Sequence, residues 1–132
     1  MTAMIHVVED DADHCAALCD LIEASGYEAQ GFLSGEAALA VERAPDLVVT
    51  DLRMPQMDGF EVLRHWKERA PDLPLIVITG HGDVPHAVRA MREGAEDFLE
   101  KPYDASHLMA VIARALKAGQ MRGELAQLRE MI

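Results

Sequence analysis

Basic charge is scarce in this chain: 12 Lys and Arg stand against 23 Asp and Glu, a formal net charge of -11 at pH 7. A surface that reads DNA needs a basic patch to displace phosphate counterions, so direct nucleic-acid binding is excluded for this piece. Cysteine is equally sparse. The only two, Cys15 and Cys19, lie four apart on one face of a helical pattern, too constrained to bridge each other, and a reducing compartment fits. No charged-then-apolar leader and no apolar run of membrane-spanning length is present, which predicts a cytoplasmic protein without membrane contact. The histidines His6, His14, His65, His81, His86 and His107 are scattered, with no His-Glu-x-x-His or clustered ligand spacing. Most of them are expected to be structural or solvated.

What is present is regular alternation. Half of the 132 residues are apolar, enough for one domain with a single sizeable core. Short apolar runs at Met4 to Val8, Tyr27 to Phe32, Asp46 to Thr50, Pro74 to Thr79 and Ala95 to Leu99 read as strands. Residues 12 to 25, 35 to 43, 59 to 69 and 85 to 93 read as helices, and a fifth helix begins near Ala105. Gly26 and Gly94 stand where helices should stop, Ser34 and Asp83 are candidate N-caps, and Pro85 suits an early helical position. Leu75-Ile76-Val77-Ile78 is apolar on both faces, as central parallel strands covered by helices on each side require. Five such units predict an α/β, doubly wound parallel sheet.

In that architecture ligands bind beyond the carboxyl ends of the strands, where strand order reverses. Asp51 ends one strand and opens the turn Asp51-Leu52-Arg53-Met54-Pro55-Gln56-Met57-Asp58-Gly59; Glu9-Asp10 follow another, Thr79 ends a third, and Lys101-Pro102 follow the last. If those strands are neighbours, all five functional side chains project at one end. Taken alone, each has an ordinary reading. Asp51 could be a turn or N-cap residue, Thr79 a strand end, Lys101 a solvated charge, and Phe98 a buried strand residue. Gly59 serves backbone geometry, and Asp58 starts a helix rather than binding metal. Their co-occurrence in this order is what points to a carboxylate that accepts a phosphoryl group.

Val7-Val8-Glu9-Asp10-Asp11, Asp51 to Gly59, Ile78-Thr79-Gly80-His81-Gly82-Asp83 and Phe98-Leu99-Glu100-Lys101-Pro102 together resemble the receiver domains of bacterial two-component response regulators, over roughly residues 4 to 118. The resemblance implies a flavodoxin-like five-stranded parallel sheet in the order 2-1-3-4-5, with helices on both faces and an extended C-terminal helix. It implies Asp51 as the phosphoacceptor. Three close carboxylates repel by about 4 kcal/mol per pair at about 4 Å and an effective dielectric near 20, so a divalent cation is needed to hold them. Oxygen-only ligands suit Mg2+, with Mn2+ as a substitute. By resemblance, Asp10, Asp51 and the backbone carbonyl of Arg53 bind it directly and Glu9 acts mainly through a water; Glu replaces the Asp that many receivers carry, and its longer side chain leaves direct and water-mediated coordination both open. Thr79 and Lys101 would hold phosphoryl oxygens, Phe98 would be the switch aromatic, the peptide before Pro102 would be cis to aim the ammonium inward, and Arg53 and His81 would tune the lifetime of the phosphate. The chain would be no enzyme beyond catalysing its own phosphorylation and dephosphorylation.

The tail carries a second pattern. Met121, Leu125, Leu128 and Ile132 fall at four-three-four spacing, the a/d seam of a short coiled coil, or else the apolar side of an end that packs on its own domain. Gly119 and Gly123 each cost about 1 kcal/mol relative to Ala in a helix, so the extension is expected to be weak or frayed without a partner. The chain therefore divides into a receiver, 1 to 118, and a helical linker, 119 to 132, toward an absent output domain. Within the family it looks most like dicarboxylate-transport and related sigma-54-dependent activators, which carry ATPase and DNA-binding domains; the Gly-His-Gly-Asp run also resembles nitrogen-fixation regulators. No Walker A segment or helix-turn-helix is present here. The expected partners are a cognate sensor histidine kinase, a second copy through the fourth helix, fifth strand, fifth helix and tail, and the output domains. Two rivals fit less well: a flavodoxin-type carrier would be repelled by Glu9-Asp10-Asp11 at its phosphate loop, and a haloacid-dehalogenase phosphatase wants an acid where Arg53 stands. A stand-alone receiver that acts by binding partners is a further reading.

Overall fold

The computed structural model describes residues 2–132. Five strands, β1 (Met4–Val8), β2 (Glu28–Phe32), β3 (Leu47–Asp51), β4 (Leu75–Thr79) and β5 (Asp97–Glu100), alternate with five helices, α1 (Ala12–Ala24), α2 (Gly35–Leu39), α3 (Gly59–Arg69), α4 (Val84–Arg92) and α5 (Ala105–Glu130). All pairings are parallel, in the order β2-β1-β3-β4-β5, as expected.

The doubly apolar strands supply two cores. Ile5, Val7, Leu47, Val49, Ile76, Ile78 and Leu99 point to the face covered by α1 and α5. Val8, Val48, Leu75 and Val77 point to the other face, under α2, α3 and α4, where Trp66 is among the largest buried side chains. Strand residues alternate between faces, so a run such as Leu47-Val48-Val49 is buried throughout. Each fully buried aliphatic side chain contributes about 1.5–3 kcal/mol.

Local chemistry sets the ends of the elements. Asp11, Ser34, Asp58 and Asp104 cap α1, α2, α3 and α5 with side-chain oxygens. Gly26 and Gly94 follow α1 and α4 at positive φ, as expected. The second helix stops at Leu39 rather than continuing to residue 43. Arg69 donates to the carbonyls of Leu39 (3.2 Å), Val41 (2.6 Å) and Glu42 (3.0 Å), so the guanidinium takes over acceptors that a longer helix would have satisfied. The last strand starts two residues later than expected. Ala95 is occupied closing α4, its N–H donating to the Ala90 carbonyl at 3.0 Å.

Asp83 needs correction as a cap. It occupies the N-cap position of α4, but its side chain makes no capping bond. Instead it accepts from His86 Nδ1 at 2.7 Å and from Arg53 Nη2 at 3.4 Å. At the other end of the chain, α5 passes unbroken through Gly119 and Gly123. Gly119 is not the weak point its helix propensity suggests. A Cβ there would lie 2.6 Å from Pro74 Cδ, so the missing side chain lets α5 lie against the sheet layer. Arg122 extends that docking, pairing with Glu96 at 2.7 Å and donating to the Asp72 carbonyl at 3.2 Å.

Candidate functional site

The strand order reverses between β1 and β3, and the chain delivers its carboxylates there. Glu9 and Asp10 follow β1, and Asp51 is the last residue of β3. One oxygen from each of the three lies within 4.8 Å of the others. Lys101, following β5, brings Nζ to 3.1 Å from Asp51 Oδ2 and 3.7 Å from Glu9 Oε1. Its backbone is fixed by a hydrogen bond from Lys101 N to the Thr79 carbonyl at 2.9 Å, and the Lys101-Pro102 peptide is cis, as expected. These groups line an open depression of about 770 Å3, completed by Asp11, His14, Pro102 and Tyr103.

The turn after Asp51 is held tightly. Arg53 N donates to Asp51 Oδ1 at 3.3 Å, and Gly59 N donates to the Leu52 carbonyl at 3.0 Å. A Cβ on Gly59 would lie 2.5 Å from the Asp51 carbonyl oxygen and 2.8 Å from Leu52 Cα. Only glycine lets α3 start this close to the end of β3.

Electrostatically the site is underneutralised: three carboxylates face one ammonium. Glu9 is 3% exposed, and burial followed by the neighbouring Asp51 carboxylate raises its pKa, against the pull of His14 and Lys101. Burial by itself would lower the pKa of Lys101. The hydrogen bond to Asp51 and the charges of Asp51 and Glu9 outweigh it and hold the ammonium above its usual value. Glu9 Oε2 is buried without a hydrogen-bond partner. An unpartnered carboxylate oxygen among hard oxygen donors fits a divalent cation of the Mg2+ or Ca2+ kind, held by Glu9, Asp10 and Asp51.

Other expected residues stand apart from this cluster. Thr79 ends β4 at the rim, but its hydroxyl donates to the Leu99 carbonyl at 3.3 Å and is buried. Phe98 is not a core residue. It is 40% exposed, because β5 is the edge strand and only its Leu99 neighbour turns into the core. Arg53 and His81 lie on exposed turns on the α4 side of the depression, with the Arg53 guanidinium on Asp83. Met121, Leu125, Leu128 and Ile132 do not pack on the domain; all four are exposed.

Two lining residues escaped the sequence reading. His14, expected to be structural or solvated, contacts Glu9 Oε1 through Nδ1 and the Tyr103 hydroxyl through Nε2 at 2.9 Å. The available signal was position alone: His14 falls one helical turn after Asp10, and Tyr103 two residues after Lys101.

Comparison with known proteins agrees with this fold. Residues 5–113 match the family model of the response regulator receiver domain. The transcriptional regulatory protein FixJ of Rhizobium meliloti (strain 1021) is 44% identical over 115 residues, covering 84% of this chain and 55% of that protein. The C4-dicarboxylate transport transcriptional regulatory protein DctD of the same strain is 40% identical over 113 residues, covering 84% of this chain and 25% of that one. A crystal structure of NtrX from Brucella abortus superposes with a TM-score of 0.90 at 36% identity, over 97% of this chain and 30% of that one. The chain thus spans about half the length of the first relative and about a quarter of the second.

Proposed function

The chain belongs to the response regulator receiver domain family, and on that premise we propose that it is a phosphorylation-operated switch in which Asp51 accepts a phosphoryl group from the phosphohistidine of a sensor kinase. An Asp51 carboxylate oxygen attacks phosphorus, the P–N bond to the histidine breaks, and an aspartyl phosphate forms. The observation that carries this reading is the juxtaposition of Glu9, Asp10 and Asp51 with Lys101 3.1 Å from Asp51. Mg2+, or Mn2+ in its place, would be held by Asp10, Asp51 and the Arg53 carbonyl, with Glu9 through water, and when bound supplies positive charge to the phosphoryl oxygens. Lys101 provides a further point charge for a phosphoryl oxygen. The test is phosphotransfer from phosphoramidate followed by phosphorus NMR. The reading expects an acyl phosphate signal that chelation of divalent cations abolishes, and a signal indifferent to chelation would refute it.

The Thr79 hydroxyl, spent on the Leu99 carbonyl in this structure, leaves that acceptor for the phosphoryl group. Phe98, already half out of the fold on the adjoining strand, turns toward the space that Thr79 vacates and remodels the α4-β5-α5 surface. Moving such a switch from mostly inactive to mostly active takes about 5.5 kcal/mol of differential binding, within reach of two or three charge-assisted contacts. Arg53 and His81 flank the path of the hydrolytic water and tune the lifetime. Dephosphorylation rates unchanged by Arg53→Ala and His81→Ala would refute that role.

The output lies beyond this chain. Residues 1–118 act as the receiver, and 119–132 as a coiled-coil connection in a dimer, supported by the exposure of Met121, Leu125 and Leu128 on α5 and of Ile132 just past its end. The output is transcriptional, either sigma-54-dependent as in dicarboxylate-transport-type activators or through a DNA-binding domain alone as in nitrogen-fixation-type regulators. A stand-alone receiver that works by partner binding is the alternative, and the open seam weighs against it. Mass that rises with concentration in analytical ultracentrifugation is expected of the dimer; a monomer at every concentration, phosphorylated or not, would refute it.

A further inference from the structure

We infer that His14 is a positioning residue for the metal centre, and that it is the specific partner of the glutamate at position 9. The inference rests on the reading of Glu9, Asp10 and Asp51 as the cation site. Its physical basis is the extra methylene of Glu9. A glutamate at the end of β1 has one more rotatable bond than an aspartate, and it must hold its carboxylate beside two others that repel it. Glu9 is nonetheless buried, and its two oxygens have different surroundings. Oε1 is taken by His14 Nδ1, with Lys101 Nζ at 3.7 Å, whereas Oε2 is buried and unpartnered. The imidazole thus fixes the carboxylate by one oxygen and leaves the other free for the cation or its water.

The histidine is itself held on both sides. An ionised carboxylate only accepts, so Nδ1 carries a proton and donates to Glu9. Nε2 meets the Tyr103 hydroxyl at 2.9 Å, and the two rings lie 6.3 Å apart. Tyr103 follows β5, so the contact ties the loop that carries Lys101 to α1, on which His14 sits. The backbone of His14 is fixed as well, its N–H donating to the Asp11 cap at 3.1 Å. A ring locked at both nitrogens and at its main chain can dictate where the longer carboxylate goes. An aspartate at position 9 would end one methylene short and would not need it.

The test is a double-mutant cycle read by calorimetric Mg2+ titration of the full chain. In the wild type, His14→Ala should weaken Mg2+ binding on the order of tenfold, the usual loss when a hydrogen-bond partner of a metal-binding side chain is removed. In a Glu9→Asp background the same substitution should change affinity little, because the shortened carboxylate no longer reaches the ring. His14→Asn, whose amide N–H stands where Nδ1 stands in the imidazole, should restore most of the loss. Before any metal is added, the wild type should show an exchange-protected imidazole N–H proton in its NMR spectrum that Glu9→Asp removes.

Equal losses in both backgrounds, no loss in either, or a His14→Asn protein as weak as His14→Ala would overturn the inference while leaving the cation site in place. A wild type that binds no Mg2+ would overturn the cation reading and this inference with it.

Discussion

At the carboxyl ends of β1 and β3 the chain buries carboxylates, whereas along the last turns of α5 and just past its end it leaves Met121, Leu125, Leu128 and Ile132 in water. Burying Glu9 beside Asp51 works against folding, whereas leaving a row of apolar side chains in water forgoes the stabilisation their burial would give. Both regions are held by the well-packed structure next to them. The rim sits on strands buried on both faces, and the tail continues a helix whose first half is clamped in the core. The difference between them is chemical. A surplus of negative oxygen calls for a cation and a phosphoryl group, and a surplus of hydrocarbon on one helix face calls for another helix.

The glycines divide along the same line. Gly59→Ala should be the most damaging of the substitutions considered, because its Cβ would meet backbone atoms at 2.5 and 2.8 Å; a loss of about 1–3 kcal/mol is expected in urea unfolding. Gly119→Ala should destabilise less than Gly59→Ala but measurably, since Pro74, not backbone, stands in the way. At Gly123 nothing lies within 4 Å, so Gly123→Ala should stabilise the helix by about 0.5–1 kcal/mol. A Gly119→Ala protein as stable as Gly123→Ala would move the limit of the folded unit back from Arg122. Leu125→Asp with Leu128→Asp should shift unfolding of the isolated chain by less than about 0.5 kcal/mol, as exposed substitutions do, yet abolish self-association in ultracentrifugation.

Cys19 sharpens the contrast with the carboxylates, since its thiol has burial without a compensating cation. Burial pushes its pKa up to about 12, with the neighbouring Cys15 thiol acting in the same direction. The folded chain then holds the proton while an unfolded thiol, with its ordinary value of 9.0, has lost it. The thiol's contribution to stability accordingly falls as the pH rises from 9.0 toward about 12. Because only the thiolate is nucleophilic, native protein at pH 8 should alkylate with iodoacetamide far more slowly than unfolded protein. Equal rates would show that the α1 face is open.

While the strand order that brings Glu9, Asp10, Asp51 and Lys101 together came only from the resemblance to receiver domains, the strands and the functional residues after each were legible because strand runs and turn residues are local signals. The end of α2 was not, since it depends on Arg69 reaching back across about 30 residues to the Leu39 carbonyl. The diversion of Asp83 from capping to Arg53 and His86 was hidden for the same reason. His14 looked like any helical histidine until Glu9 and Tyr103, 89 residues from it, were placed beside it. Periodicity overstated the burial of Phe98, because an alternating pattern does not tell which strand lies at the sheet edge.

The most direct test of the central claim is the intact mass of the chain after incubation with acetyl phosphate and Mg2+, wild type against Asp51→Asn. The account predicts an acid-stable, base-labile gain of one phosphoryl group that requires both Mg2+ and Asp51. A wild type that gains nothing with any small phosphodonor, or an Asp51→Asn protein that gains as much, would contradict it.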